Sequence, residues 1–203
     1  DTTNYRLLDN TSIKVGNNVK RIMAIAEDGT SKIYTINIYR PASTNNYLSD
    51  LIVKNGDKQF ELSQLDESGI IGKGFDKENN KYQIEVENDI KTINVNGIKD
   101  ISLSTVKGNG NYSLSVGENN ISINVTNEAG ETRTYTLTVI RKPNSNAYLK
   151  SITTSEGIIV PEFNKEEQKY VVNIENNVSS FSITAIADVN TTSINGGLNN
   201  ISM

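Results

Sequence analysis

The sequence predicts an all-β fold built from tandem antiparallel β-sandwich repeats. Short segments alternate between apolar and polar residues with a period of two, which is typical of half-buried strands. No segment keeps the period of about 3.6 residues that a helix would show. The residues from Ile33 to Leu51 and those from Thr134 to Ile152 nearly repeat one another, at a spacing of 101 residues that separates Arg40 from Arg141. One structural unit therefore occurs more than once.

The first repeated element is a strand that runs from Lys32 to Arg40 and, in its second copy, from Thr134 to Arg141. Successive side chains of a strand point to opposite faces, so alternation separates an inner set from an outer set. The inner sets are Tyr34, Ile36 and Ile38 in the first copy, and Tyr135, Leu137 and Val139 in the second.

A second strand and a turn complete this element as a hairpin. The strand from Asn120 to Thr126 precedes the turn "NEAG" (Asn127 to Gly130), and "EDG" (Glu27 to Gly29) takes the place of that turn in the first copy. Lys20 stands where Ile121 stands in the second copy. We therefore expect a bulge or a shifted register near Lys20.

Another element repeats with a shorter spacing. "FDKENNKYQIEVEN" from Phe75 matches "FNKEEQKYVVNIEN" from Phe163, which is 88 residues later. The spacing of 101 residues exceeds the spacing of 88 by 13, so the earlier unit contains extra residues between Tyr47 and Phe75. The segment "LDESGIIGKG" (Leu65 to Gly74) is the predicted insertion loop.

These elements divide the chain into three parts. Residues 1–41 are predicted to be the C-terminal strands of a first repeat, residues 42–142 a complete repeat, and residues 143–203 the N-terminal strands of a third. About 100 residues with seven or so short strands and regular turns are typical of an immunoglobulin-like sandwich. The proline-containing segments "PASTNN" and "KPNSNA" connect the units.

The order of these motifs resembles the bacterial cadherin-like β-sandwich repeat. That family opens with Asn-x-Tyr-Leu, carries Pro-x-Phe and a following Tyr, and closes with Gly-x-Asn, a Gly turn and Tyr-x-x-x-x-x-Arg. The complete repeat departs from this pattern because no proline precedes Phe75. The resemblance implies an immunoglobulin/cadherin-like fold and an extracellular spacer, adhesive or accessory role. The matching residues are Asn146, Tyr148, Leu149, Pro161, Phe163, Tyr170, Gly117, Asn119, Gly130, Tyr135 and Arg141.

Aromatic residues that recur in equivalent positions are predicted to lie in the core or at its corners. Tyr5, Tyr39 and Tyr112 are not repeated, and we expect them to be exposed. The predicted core aromatic residues are Tyr34, Tyr47, Phe75, Tyr82, Tyr135, Tyr148, Phe163 and Tyr170.

Composition excludes several kinds of chemistry. The chain contains no Cys, His or Trp, so disulfides, thiolate nucleophiles and thiolate metal sites are absent. Only paired carboxylates or a Ser–Lys dyad remain for catalysis, and no spacing singles one out, so we predict that the chain is not an enzyme. An autocatalytic Lys–Asn isopeptide crosslink has no recognisable trio either. Aromatic residues make up 6% of the chain, which disfavours a stacking platform for sugars.

The partners follow from charge and hydropathy. The formal net charge is −4 without a basic stripe, and no apolar run reaches membrane-spanning length, so neither nucleic acid binding nor membrane insertion is expected. Frequent Asn, and Lys in excess over Arg, favour a Gram-positive bacterial protein, which we place at the cell surface or outside the cell. Its expected partners are neighbouring repeats and an unknown host or cell-wall ligand.

A weak ligand site is predicted near the insertion loop. Asp66, Glu67, Asp76 and Glu78 are clustered acidic residues that offer carboxylate oxygens, the ligand type that Ca²⁺ prefers. The ordinary interpretation is solvated charge in loops. No other cofactor is expected.

The leading functional hypothesis is a non-enzymatic structural or adhesive repeat module that acts as a spacer or presenting element. One alternative is a module that binds glycan or protein through the insertion loop and the junction faces, and another is an accessory segment of a secreted enzyme. The two partial repeats also predict head-to-tail self-association, in which the start of one molecule completes the end of another. The alternative is a segment of a longer array, in which each partial repeat is completed by its own chain.

Overall fold

A computed structural model describes residues 4–9, 12–195 and 201–202 of the chain. Its described residues form strands and turns and contain no helix, so the predicted all-β class is confirmed. The chain divides into two compact units, Asp1–Lys142 and Pro143–Met203.

The first unit begins with a three-stranded antiparallel sheet, here called the N-terminal sheet. Its strands are β1 (Asn4–Leu7), β2 (Gly16–Ile25) and β3 (Ser31–Arg40), in that order. Lys20 lies opposite Ile36 in an unbroken register, so the expected bulge near Lys20 is wrong. The ammonium of Lys20 donates a hydrogen bond to the carbonyl of Asp9 at 3.3 Å. The lysine side chain is thus accommodated without a change in the backbone pairing of β2 and β3.

The rest of the first unit is a β-sandwich, here called the middle sandwich. One sheet has the order β11-β9-β4-β5, and the other has the order β10-β12-β13-β8-β6-β7. The strands are β4 (Leu48–Asn55), β5 (Lys58–Gln59), β6 (Ser63–Asp66), β7 (Gly69–Lys73), β8 (Lys81–Val86), β9 (Thr92–Lys99), β10 (Thr105–Lys107), β11 (Gly110–Ser113), β12 (Gly117–Thr126) and β13 (Thr132–Arg141).

The core lies between these two sheets. Buried residues alternate with exposed or half-buried ones along β8, β9, β12 and β13, as a period of two requires. Every buried residue in the described part of the chain lies between Leu48 and Val139. Burying one large aliphatic side chain contributes about 1.5–3 kcal/mol, so the middle sandwich contains most of the hydrophobic stabilisation.

The middle sandwich is not wholly antiparallel. Strand β8 pairs with β13 in parallel, with Tyr82 beside Leu137 and Ile84 beside Val139. Between these two strands the chain passes through the other sheet, which allows two neighbours in one sheet to run in the same direction. The prediction of purely antiparallel sheets is therefore corrected at this pair.

The predicted insertion loop is instead a hairpin. Residues from Leu65 to Gly74 include the second half of β6 and all of β7, which pair in antiparallel fashion at the edge of the six-stranded sheet. The turn between them is closed by Asp66, whose carboxylate accepts hydrogen bonds from Ser68. This hairpin exposes Ile70 and Ile71, which are 62% and 54% accessible.

The second unit is here called the C-terminal unit. Strands β14 and β18, β15 and β16, and β17 and β19 form three antiparallel pairs. A register shift between Leu149 and Ser151 in β14 matches one between Leu48 and Asp50 in β4. The strands are β14 (Leu149–Thr154), β15 (Ile158–Val160), β16 (Val171–Asn173), β17 (Ser180–Phe181), β18 (Ile183–Ala187) and β19 (Ile201–Ser202).

The predicted core aromatic residues differ in burial. Tyr82 and Tyr135 are fully buried, whereas Tyr34 is 57% exposed and Tyr148 is 42% exposed. The prediction of core positions is wrong for Tyr34 and Tyr148, because none of the sheets formed by the described residues covers the inner face on which each lies. The other four, Tyr47, Phe75, Phe163 and Tyr170, are half-buried.

Of the three unrepeated tyrosines, Tyr112 is not exposed as expected. It packs against the core, and its hydroxyl donates to the carbonyl of Gly108 at 2.6 Å. Tyr39 is 71% exposed, in agreement with the expectation. The side chain of Tyr5 lies outside the described residues.

Candidate functional site

The first pair of predicted ligand-site acids lies at the tip of the β6–β7 hairpin. The Oδ1 atom of Asp66 accepts hydrogen bonds from the backbone N–H of Ser68 at 2.7 Å and from its hydroxyl at 2.6 Å. The hydrogen bond from the Ser68 hydroxyl lowers the pKa of Asp66 most, and the bond from the Ser68 backbone N–H lowers it further. Glu67 is exposed in the same turn. The carboxylate of Asp66 is therefore used to close a turn.

The second pair lies in the turn before β8. The Oδ1 atom of Asp76 accepts a hydrogen bond from the backbone N–H of Glu78 at 3.0 Å, and Glu78 is exposed. The two aspartates thus close separate turns, and the two glutamates are exposed beside them. Within the described residues, no group of three or more acidic side chains is placed to hold a metal ion.

The turn that contains Asp76 and Glu78 forms a corner around Tyr82. The hydroxyl of Tyr82 accepts a hydrogen bond from the backbone N–H of Asp76 at 3.1 Å and donates to the carbonyl of Asp76. The rings of Phe75 and Tyr82 stack with centroids 5.7 Å apart. Burial of the ring raises the pKa of Tyr82 to about 12.

We expect Tyr82 to ionise only at extreme pH. A pKa raised on folding favours the neutral phenol, so this contribution to stability is complete below the pKa of the unfolded chain and is lost as pH rises through the folded value. In a titration followed by phenolate absorbance, the phenol of Tyr82 should ionise late because its pKa is raised. The Tyr82→Phe variant should remove a late phase near pH 12, and loss of an early phase instead would contradict the buried environment.

Tyr135 connects the two sheets of the middle sandwich. Its hydroxyl donates to the carbonyl of Lys77 at 2.9 Å and accepts from the backbone N–H of Leu48 at 3.2 Å. Its ring lies 6.0 Å from that of Phe75. Burial raises the pKa of Tyr135 as well. One side chain thus joins the closing hairpin to the first strand and to the corner around Tyr82.

A polar junction joins the N-terminal sheet to the middle sandwich. The guanidinium of Arg40, at the end of β3, forms a two-pronged ion pair with Glu128 in the β12–β13 turn, one contact being 3.0 Å from Nη1 to Oε2. Glu128 also accepts from the backbone N–H of Ser43 at 3.1 Å, and the side chain of Asn127 donates to the carbonyl of Thr44 at 2.9 Å. Bidentate charge-assisted bonds fix orientation as well as distance.

An aromatic and cationic stack lies beside this junction. The guanidinium carbon of Arg133 is 4.2 Å from the ring centroid of Tyr47, and the ammonium of Lys77 is 5.6 Å from it. In the C-terminal unit, Lys165 lies 5.4 Å from the ring centroid of Tyr148 in the same way. Tyr47 and Tyr148 therefore serve as platforms for cationic side chains.

The C-terminal unit reproduces the aromatic corner and leaves a cavity beside it. Phe163 and Tyr170 stack with centroids 6.0 Å apart, and the Tyr170 hydroxyl donates to the carbonyl of Asn164 at 2.6 Å. An open cavity of about 530 Å³ is lined by this aromatic pair together with Leu149 and Ile152.

Sequence reasoning missed the Arg40–Glu128 pair and this cavity. Both residues of the pair belong to repeated motifs, and the position of Glu128 is also acidic in the first copy, Glu27. That recurrence was the available signal. The cavity lies in the C-terminal repeat that was predicted to be partial, so an uncovered core was expected there, although the sequence did not indicate a cavity.

The comparisons with known proteins agree with this geometry. A family model described as a cadherin-like beta sandwich domain matches residues 58–142. No curated protein matches the chain, and no solved structure does. In the described part of the chain, no helix is long and apolar enough to cross a membrane. The matched segment contains nine of the ten strands of the middle sandwich. Residues 58–142 are therefore similar to the cadherin-like β-sandwich family.

Proposed function

We propose that the chain is a structural, non-enzymatic repeat module of a bacterial cell-surface or secreted protein, in which successive cadherin-like sandwiches space or present another part of the molecule. The ordered junction between β3 and the middle sandwich is the observation that carries this proposal. A flexible linker would leave residues 41–46 without partners, whereas Ser43 and Thr44 are hydrogen-bonded to the β12–β13 turn.

The paired strands support a tandem arrangement. Val106 lies opposite Val125, and Tyr5, which precedes Val106 by 101 residues, lies opposite Ala24, which precedes Val125 by the same spacing. The N-terminal sheet thus has the register of β10-β12-β13. The shared bulge of β4 and β14 extends the correspondence to the C-terminal unit.

The chemistry of the chain supports a structural role over a catalytic one. The cadherin-like sandwich is a non-catalytic fold, and the sequence lacks His and Cys. Two of the four acids of the predicted ligand site, Asp66 and Asp76, are engaged in turns. An extracellular location is consistent with the family, whose domains are often found outside the cell.

The junction makes a testable prediction. We expect the Glu128→Gln variant to increase the amplitude of backbone motion at residues 41–46, measured by amide nitrogen relaxation in NMR, because a neutral amide loses the ion pair with Arg40. The matched control is Glu61→Gln, which removes an exposed ion pair with Lys73 inside the middle sandwich. Unchanged relaxation at residues 41–46 in Glu128→Gln would remove the support for a stiff spacer.

Lowering the pH should have the same effect in the unaltered chain. Hydrogen bonds from Arg40 and from the backbone of Ser43 lower the pKa of Glu128. A lowered pKa means that the contribution is complete above the pKa of the unfolded chain and is lost as pH falls through the folded value. Junction mobility should therefore rise at acidic pH in the native chain and change less in Glu128→Gln.

A second candidate function is recognition of a protein partner by the β6–β7 hairpin. The exposed Ile70 and Ile71 at a sheet edge favour this alternative, since edge strands accept added strands. The hairpin contains no aromatic residue, so it lacks the ring platform that sugars commonly stack on. Glycan binding on an array that disappears in an Ile70→Lys variant would instead favour a carbohydrate ligand.

A further inference from the structure

The cavity in the C-terminal unit has the shape of a site that is filled elsewhere in the same chain. In the middle sandwich, the space between Leu48, Leu51, Phe75 and Tyr82 is occupied by the ring of Tyr135. The lining residues Leu149, Ile152, Phe163 and Tyr170 stand in the corresponding positions of the C-terminal unit.

The backbone groups that hold the Tyr135 hydroxyl also have counterparts. Leu48 and Lys77, which bind it, correspond to Leu149 and Lys165. Both counterparts line the cavity. The cavity is thus matched to a tyrosine whose hydroxyl both donates and accepts.

A strand edge beside the cavity is open in the C-terminal unit. Strand β16 corresponds to β8, which pairs in parallel with β13 in the middle sandwich, yet β16 pairs only with β15 among the described strands. An exposed edge and an uncovered apolar face favour addition of a strand. The strand that fits must run parallel to β16 and carry a tyrosine followed by alternating aliphatic residues.

The N-terminal sheet contains such a strand. Tyr34 and Ile36 of β3 are 57% and 45% exposed, and they correspond to the buried Tyr135 and Leu137 of β13. Strand β3 pairs only with β2 among the described strands, so its other edge is open as well. The receiving face and the missing face therefore occur in one chain.

A buried donor on Arg40 points to the same partner. The Nε of Arg40 is buried and has no hydrogen-bond partner among the described residues, whereas the Nε of Arg141 donates to the carbonyl of Asn88 at 3.0 Å. The residue that corresponds to Asn88 is Asn176, in the C-terminal unit. A buried polar group without a partner is costly, and strand pairing at this register would bring a carbonyl to Arg40.

Formal charge favours the same association. Residues 1–41 contain six Lys or Arg and four Asp or Glu, which gives +2, whereas residues 143–203 contain three and six, which gives −3. Opposite net charges favour encounter and suppress pairing between identical ends.

We propose that the β2–β3 hairpin of one copy completes the C-terminal unit of a second copy, with Tyr34 in the cavity and β3 parallel to β16. The register of the middle sandwich places Ile36 beside Tyr170, Asn37 beside Val171 and Ile38 beside Val172. Because each copy has one donor and one acceptor end, the association is head to tail and extends beyond a dimer.

Introduced cysteines test the register directly, since the chain has no cysteine of its own. In the proposed pairing, Asn37 and Val171 are direct neighbours whose side chains point to solvent. The double variant Asn37→Cys, Val171→Cys should form intermolecular disulfides under mild oxidation, visible as a ladder on a non-reducing gel, because neighbouring strands fall within the Cα separation that a disulfide bridges. The matched control is Asn37→Cys, Lys169→Cys, displaced by two residues or about 6.6 Å along the strand, which should give far less product.

Self-association in solution tests whether Tyr34 of a second copy fills the cavity. In the 203-residue chain, Tyr34→Ala should weaken the association constant measured by light scattering about tenfold or more, as truncation of a buried aromatic anchor does. Tyr39→Ala changes a tyrosine of the same strand that points to the other face, and it should have little effect. Lys20→Ile should strengthen association about tenfold, since Lys20 stands where the buried Ile121 stands.

Three outcomes would overturn the proposal. A monomer at all concentrations would indicate that the cavity is not filled by a second copy and would favour completion by a continuing chain. Association unaffected by Tyr34→Ala but lost in Ile70→Lys would place the contact at the β6–β7 hairpin. A crosslinked product that runs only as a monomer would show pairing within one chain.

Discussion

We expect replacement of Tyr135 by alanine to destabilise the middle sandwich by about 3–5 kcal/mol, the range for truncating a buried aromatic residue. The side chain is fully buried, and its ring contacts Phe75 while its hydroxyl binds Lys77 and Leu48. Its loss would leave a cavity like the one observed beside Phe163. The measurement is the midpoint of urea unfolding of the 203-residue chain, followed by circular dichroism.

Two further variants separate the contribution of the Tyr135 ring to stability from that of its hydroxyl group. Tyr135→Phe keeps the ring, leaves the N–H of Leu48 without its partner and leaves the carbonyl of Lys77 only the long bond from Arg133 at 3.5 Å, which should cost about 1–3 kcal/mol. Tyr39→Ala removes a tyrosine that is 71% exposed, and it should change stability by less than about 0.5 kcal/mol. Similar losses for Tyr135→Ala and Tyr39→Ala would show that Tyr135 does not join the two sheets.

Alternation of residues predicted an inner position for both Tyr135 and Tyr34, whereas the assignment of Tyr34 to a partial repeat was the signal that its inner face is uncovered. Both tyrosines have the same alternating neighbours and the same following arginine. A period of two identifies an inner face, but it does not tell whether a second sheet covers that face. Tyr34 is exposed because none of the described strands of its unit lies over it, a property of the surrounding chain.

Strand direction and the form of the insertion were also beyond the sequence pattern. Parallel and antiparallel strands alternate with the same period, so the parallel pairing of β8 and β13 left no mark in the residues. The insertion was located between Tyr47 and Phe75 by comparing two spacings, yet its glycines and acids suggested a loop. The hairpin forms because Asp66 closes a tight turn on Ser68.

The candidate site shows the same division. Asp66, Glu67, Asp76 and Glu78 were predicted to form a weak ligand site because they are close in sequence. The hydrogen bonds of Asp66 and Asp76 are local, however, and close two separate turns. The junction between Arg40 and Glu128 spans 88 residues of sequence. Contacts of that kind depend on how two sheets meet, which residue patterns within one strand do not encode.

A glycine between β10 and β11 should be as intolerant of change as Tyr135. Gly108 has φ of +100°, and a Cβ atom there would lie 2.3 Å from the carbonyl oxygen of Ser122 and 3.2 Å from the Cα of Ile123. Both of these are backbone atoms of β12, which is paired on both sides by β10 and β13, so they cannot move aside as a flexible side chain would. We expect Gly108→Ala to destabilise the middle sandwich by about 3–5 kcal/mol, through backbone strain and displacement of β12.

Gly117 provides the matched control for this prediction. Its φ of +90° is nearly the same, but a Cβ atom there would have no neighbour within 4 Å. Gly117→Ala should therefore report only the cost of a left-handed backbone, about 1–2 kcal/mol. The difference between the two variants in urea unfolding isolates the clash with β12, which also bears Ile123 in the core. Equal losses would mean that β10 and β12 are not as close as the structure has them, and the packing of the Tyr112 hydroxyl against the Gly108 carbonyl would have to be revised with it.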